Sequence, residues 1–396
     1  MIAIEADGVF DGERYSGGGV VVVVDGPRIV SVGPAGTTPA GCELIRFDGC
    51  TVLPGLIDAH VHLCCDSGPG ALDRIPSFTA AELDAVIENS LRMQLASGVT
   101  TVRDLGDRDW AVVDWRARHA DAAQPATQVL PTIVASGPPI TIPDGHCWNM
   151  GGAVVGADAL REAVAERATR GADVVKIMAS GGVNTPGTDP AAAQFTAEEL
   201  LVVVAESHAR GLPVTAHAHS LDAIRFALAA GVDGIEHCSF ITASGLGVDE
   251  AVVRDLAVAG TAVCPTLGVV PGASPPPAVL EMMRKTGTDI EARNRLFARL
   301  HEAGVRIVSG SDAGIGPGKA HGVLPEALIG LVSGGVSPTA ALTSATLHAA
   351  TALGLPAKGH LSPGSDADLL VVSGNPTTDI TALRSPQAVF VGGIRG

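Results

Sequence analysis

From Thr51 onward the chain repeats one unit: a short apolar strand, a loop and an amphipathic helix. Eight strand candidates occur, at 56–59, 99–105, 129–136, 174–179, 214–218, 234–237, 262–266 and 306–309. Between them lie helical patterns such as TAAELDAVIENSLRMQLASG and TAEELLVVVAESHARG. These have Thr before an acidic first turn and Gly at the end, the expected start and stop signals. Continuous apolar runs, rather than alternation, mark strands buried on both faces, as parallel strands covered by helices are. Eight such units predict an α/β fold built on a (β/α)8 TIM barrel, which takes about 250 residues.

The two ends of the chain do not follow this pattern. The first fifty residues read as short strands and Gly-rich turns (GGGVVVVVDG, RIVSVG, TVLPG), and the closing GSDADLLVVSGNPTTDITALRSPQAVFVGG returns to the same style. Residues 1–50 and 360–396 are therefore expected to pair into one small β-sandwich domain beside a barrel spanning 51–359.

The formal net charge of −16 argues against a nucleic-acid or anionic-membrane surface, where a basic footprint is needed. No apolar run approaches the roughly 18 residues of a membrane span, and the N-terminus lacks a basic start and apolar signal core. Seven cysteines, an odd number, fit reduced thiols in a cytoplasm. The expected partner is a small-molecule substrate, with self-association into a homo-oligomer, and neither nucleic acid nor membrane.

The strongest local signal is Asp58-Ala59-His60-Val61-His62 at the end of the first strand candidate. Residues i and i+2 of a strand point the same way, so His60 and His62 can grip one cation, for which neutral imidazole is a good ligand. Three more candidates sit at C-terminal strand ends, where barrel active sites are built: His217 in PVTAHAHS, His237 in GIEHCSF and Asp312 in IVSGSDAG. Each alone has a plainer role, a satisfied core histidine or a helix-capping aspartate. Convergence of four strand ends on one rim favours a metal site.

Lys176 lies in the apolar strand ADVVKIMAS, in a chain with only four Lys against 26 − 4 = 22 Arg. A buried ammonium is costly and its pKa is pushed down. It either pairs with a buried carboxylate such as Asp312 or, as a neutral amine, captures CO₂ to give a carbamate. Arg could not do this, because its guanidinium stays protonated.

The order HxH, Lys, His, His, Asp on successive strands resembles the binuclear amidohydrolase superfamily. Within it the chain is similar to the imidazolonepropionase-like group that includes Xaa-Pro dipeptidases (prolidases) and related carboxypeptidases. The likeness covers nearly the whole chain, through TVLPGLIDAHVHL, GVTTVRDLG, VVKIMASGGV, AHAHS, IEH, SDAG and GSDADLLVV. It implies two divalent metals, zinc-like, with His60 and His62 on the first and His217 and His237 on the second. Carboxylated Lys176 would bridge them and Asp312 would complete the first site. The resemblance also implies cations roughly 3.5–4 Å apart with a hydroxide between them, and Asp312 as its proton acceptor.

The implied activity is cleavage of an amide bond, of an N-acyl amino acid or Xaa-Pro-like dipeptide. Alternatives are a mononuclear zinc deaminase or cyclic-amide hydrolase, and a binuclear hydrolase of a neutral amide, urea or carbamate. Three further residues are candidates for substrate contact. His219 shares a strand face with His217 and stands where dipeptidases of the family often carry Tyr, so it could polarise a carbonyl or meet a carboxylate. His146 lies in the loop PPITIPDGHCWNMGG. Arg103, at the end of the second strand, could face a substrate carboxylate or pair with Asp104 or Asp107. The run 181–190, GGVNTPGTDP, is expected at the substrate entrance.

Overall fold

The computed structural model describes residues 1–119, 129–287 and 289–396. Two sheets carry the middle of the chain, parallel except for the short strand Gly245–Leu246, which pairs antiparallel at one edge of the second. One joins β1 (Leu56–Val61), β2 (Val99–Asp104) and β3 (Thr132–Ala135). The other joins β4 (Val175–Met178), β5 (Val214–Ser220), β6 (Gly234–Thr242) and β7 (Ala262–Cys264). Helices connect successive strands, among them Ala80–Ala96, Ala157–Arg170, Ala197–His208, Leu221–Ala230 and Glu250–Ala259. The architecture is mixed α/β.

The start signals act as the sequence implies. Thr79 with Glu82, and Thr196 with Glu199, form reciprocal capping boxes, while Ser220 Oγ accepts from the Ala223 N–H. Strand side chains such as Val102, Ile177, Ala216, Ile235 and Val263 pack with helix residues Leu91, Val164, Val203, Ile224 and Leu256 in one buried cluster. Each large side chain so buried contributes about 1.5–3 kcal/mol against leaving it in water.

Seven of the eight expected strands form within a few residues of their expected bounds. The eighth segment builds no ladder of its own: it meets β7 through a single bridge, Val263 to Ile307. The Val308 N–H donates to Val263 O at 2.9 Å, and the Ala59 N–H in β1 donates to Ser309 O at 3.1 Å. Between β3 and β4, Ile140 plays a similar part, donating to Lys176 O and accepting from the Met178 N–H, both at 2.8 Å.

The terminal segments pair with one another. Hydrogen bonds connect them into one seven-stranded sheet, in the order Ile394–Arg395, Pro386–Val391, Leu369–Ser373, Glu43–Pro54, Ile2–Phe10, Tyr15–Asp25, Arg28–Pro34. The long strand Glu43–Pro54 is the reason: it pairs parallel with Ile2–Phe10 and antiparallel with Leu369–Ser373, welding the two chain ends together. The sheet wraps its own core of Ile4, Val22, Val24, Ile29, Val52, Leu369 and Phe390, and the Ile29 N–H reaches Ser365 O at 2.9 Å. Among the described residues no helix is long and apolar enough to cross a membrane.

Candidate active site

The C-terminal ends of the parallel strands bring the sequence candidates together. His60 and His62 leave β1 with ring centroids 5.3 Å apart. His60 Nδ1 bonds Glu236 Oε2 at 2.7 Å, and His62 Nδ1 bonds the Gly106 carbonyl at 3.0 Å. Both rings thereby turn Nε2 towards Asp312 Oδ1, at 3.4 Å and 3.2 Å. An outer acceptor that fixes the tautomer and aims the other nitrogen is the usual support of a metal-ligating histidine. Gly310 lets the eighth segment come this close, since a Cβ there would stand 2.7 Å from the His60 backbone nitrogen.

A second group forms from β5 and β6. Ligand atoms of His217, His219 and His237 lie within 4.8 Å of one another, as do those of His60, His62 and Asp312. His237 Nδ1 bonds Thr266 Oγ1 at 2.8 Å, and His219 Nδ1 bonds Ser239 Oγ at 3.0 Å. The two groups adjoin, with the His60 and His237 rings 5.2 Å apart. His237 and Asp312 both adopt the left-handed backbone region, φ 68° and 59°. That conformation costs of order 1–3 kcal/mol per residue and clusters at functional sites.

Lys176 on β4 is buried, and its charge acts on members of both groups, His60, His217 and His237, and on His146. Among the described residues its amine has no hydrogen-bond acceptor and no carboxylate within 4 Å. Burial pushes the amine below its ordinary pKa, with Glu236 and Asp312 opposing more weakly. Asp312 goes the other way: burial disfavours its charge, but His62, His60 and Lys319 together hold it well below the usual carboxylate range. Burial lowers His219 and His146 to about 3, helped by Arg293 on the first and Lys176 on the second, so both rings are neutral at pH 7.

His146 lies beside the site, its ring centroid 4.5 Å from that of His217 in a tilted arrangement and its Nδ1 on Thr185 Oγ1 at 2.8 Å. Thr185 belongs to the Gly-rich run expected at the entrance. Gly182 in that run leaves the room, because a Cβ there would meet the His146 ring at 2.3 Å. Arg103 is buried, with Nε on the Ala59 carbonyl at 2.7 Å and Nη2 on Glu236 Oε1 at 2.9 Å. Its ion-pair partner is thus Glu236, not Asp104 or Asp107. Those two aspartates accept backbone N–H groups instead, of Leu63 and Gly106 and of Val112.

Glu236 is the residue that reasoning from the sequence missed. It is fully buried and takes bonds from Arg103, Thr215 and His60, which hold its carboxyl well below the ordinary range against its burial. The signal was present, since a carboxylate inside the apolar strand GIEH has to be paired. Arg293 was also missed. It lies in helix Ile290–Glu302, whose EARNRLFARL text looks like any exposed helix face, and it lines a cavity beside His219.

Fold and site together define a hydrolase built around clustered histidines and a carboxylate at parallel strand ends. The amidohydrolase family model matches residues 51–395, and the chain belongs to that family as a hydrolase acting on C–N bonds. Its sequence is 28% identical over 373 residues to ochratoxinase of Aspergillus niger, covering 85% of this chain and 73% of that protein. It is 27% identical over 370 residues to imidazolonepropionase of Salinispora tropica, covering 89% and 85%. A solved Xaa-Pro dipeptidase with methionine bound in its active site superposes with a TM-score of 0.86 at 27% identity, covering 100% of this chain and 99% of that one.

Proposed function

We propose that this chain is a binuclear metal hydrolase that cleaves the amide bond of an N-acyl amino acid or Xaa-Pro-like dipeptide. The observation that carries this is the buried amine of Lys176, without a hydrogen-bond partner among the described residues, whose charge acts on histidines of both ligand groups. A lone ammonium there is costly, whereas a carbamate on Nζ would offer one oxygen to each side. His60, His62 and Asp312 would hold one cation and His217 and His237 the other. The donor chemistry, imidazole and carboxylate, suits zinc. When bound, the cations would supply an activated water and polarise the scissile carbonyl.

The protein's own groups do the remainder. Asp312 Oδ1, ionised at neutral pH, takes the proton of the attacking water and passes it to the leaving amine nitrogen. Neutral His219 and His146 line the substrate side, where they donate to the carbonyl or carboxylate oxygens. Arg103 acts through Glu236, which sets the His60 tautomer, rather than by touching substrate. The Xaa-Pro dipeptidase with bound methionine supports a substrate that releases a free amino acid.

The same proposal includes the architecture. The bonds from Val308 to Val263, Ala59 to Ser309 and Met178 to Ile140 support one closed (β/α)8 ring, 51–359, with a terminal β-domain from 1–50 and 360–396. Seven free thiols fit a reducing, cytoplasmic setting.

Metal analysis tests the function. Purified protein should carry about two zinc-like ions per chain, with amide hydrolysis abolished by chelation and restored by Zn²⁺. Full activity with a single ion points instead to the mononuclear deaminase or cyclic-amide chemistry.

A further inference from the structure

Helix Ile290–Glu302 sends Arg293 toward the histidine cluster, where it lines a small cavity of about 40 Å³ that opens to solvent. The cavity's other polar groups are His219 and Ser239, and the rest is apolar: Ile241, Leu246, Met282, Ala292, Leu296 and Phe297. Among the described residues no carboxylate lines it.

The Arg293 guanidinium is half-buried, and its one side-chain hydrogen bond among the described residues is from Nη2 to the Pro265 carbonyl at 3.2 Å. No acidic side chain lies within 4 Å of it among those residues, in contrast to the buried Arg103, which is paired with Glu236. A guanidinium always stays charged and presents a planar fork that matches a carboxylate bidentately. Leaving such a fork partly desolvated beside a cavity, with most of its donors unspent, costs free energy unless an anion fills the place. Burial does lower its pKa somewhat, and only the attraction of Asp312 opposes this.

We infer that Arg293 is the specificity residue of this enzyme, binding the α-carboxylate of the substrate's C-terminal residue while the surrounding apolar wall receives that residue's side chain. The inference rests on the amide-hydrolase function proposed above and names the substrate class within it: acyl or aminoacyl derivatives of apolar amino acids with a free carboxylate. In such a molecule the carboxylate is tied to the scissile carbonyl through one nitrogen and one carbon. Its receptor must therefore sit beside the groups that meet the carbonyl. Arg293 meets that requirement, because it shares a cavity wall with His219, and its charge is felt by both His219 and Asp312. No bond to Arg293 is made or broken in the reaction.

The test is calorimetric binding to metal-loaded enzyme of N-methanesulfonyl-L-methionine, which cannot be hydrolysed as an amide, and of its carboxamide. Wild type should bind the acid roughly ten- to a hundredfold tighter than the carboxamide, the worth of a charge-assisted pair. Arg293→Gln should erase that preference by weakening the acid far more than the carboxamide, with the fold checked by circular dichroism, and Arg293→Lys should keep part of it. Equal binding of acid and carboxamide by wild type, or an intact preference in Arg293→Gln, overturns the inference. Turnover is read separately on N-acetyl-L-methionine. A wild type with the acid preference but no metal-dependent cleavage of any amide overturns the hydrolase function and leaves the carboxylate site standing.

Discussion

His60 and Glu236 are joined by a 2.7 Å bond from Nδ1 to Oε2 at the bottom of the site, both side chains almost wholly buried. Glu236 is itself held by Arg103 and Thr215, so the imidazole is fixed in ring orientation and tautomer before any cation arrives. The consequence is measurable. Glu236→Gln should leave a folded protein whose affinity for zinc falls about 10–100-fold, the usual cost of losing an outer partner of a ligating histidine. Equilibrium dialysis against a metal buffer reads it, and an unchanged affinity would separate Glu236 from the site.

Lys176→Ala should lose most bound metal and most activity, and added acetate or propionate should partly restore both by supplying the missing oxygens. Lys176→Arg should gain nothing from these additives, because a guanidinium cannot form a carbamate. Growth with ¹³C-bicarbonate should also give wild type, and neither variant, a carbamate carbon resonance. Full activity in Lys176→Arg would be incompatible with a bridging Lys176.

Asp312→Asn should keep the fold and lose turnover by about 10²–10⁴, the contribution typical of a positioned general base. Since its neighbours hold Asp312 well below the usual carboxylate range, its ionised form persists down to mildly acid pH. Any acid limb of the activity profile between pH 5 and 7 therefore belongs to another group and should survive in an Asp312→Glu variant that retains measurable turnover. Loss of that limb in the variant would assign it to Asp312.

His321 provides a stability test at a residue that is not itself a proposed ligand, though it touches the His62 backbone. Its Nε2–H donates to the Cys65 carbonyl at 3.0 Å and Nδ1 accepts from Gln94 Nε2 at 3.4 Å, an arrangement that only the neutral ring satisfies. Burial lowers its pKa to about 4 from 6.5. A histidine whose folded pKa is depressed contributes stability above its unfolded pKa and loses it as pH falls. The loss here spans pH 6.5 down to about 4 and amounts to about 3 kcal/mol. In metal-free protein, thermal unfolding of wild type should therefore drop more between pH 7 and pH 4 than that of His321→Gln. Parallel curves for the two would contradict a neutral, doubly bonded His321. Asp58, raised to about 6 by burial, acts with the opposite sign, losing stability as pH rises through 6, and is common to both proteins.

The parallel strand–helix repeat could be read from residue order because it rests on local rules. Apolar runs such as 174–179 have to be buried on both faces, and Thr79 and Thr196 with Glu three residues on cap their helices whatever the rest of the chain does. The HxH of β1 and the lone Lys176 in an apolar strand were legible for a similar reason: burial of those groups without a chemical purpose is too costly. What no local pattern carries is pairing across the fold. That Arg103 meets Glu236 rather than Asp104, that Glu43–Pro54 joins both chain ends in one sheet, and that Arg293 reaches His219's cavity all depend on contacts between residues from 41 to 323 positions apart. An arginine on a helix reads the same whether it faces water or a cavity. Only the tertiary placement of helix Ile290–Glu302, which sets Arg293 beside the Pro265 carbonyl, His219 and Ile241, removes its water and leaves its charge to be met by something else.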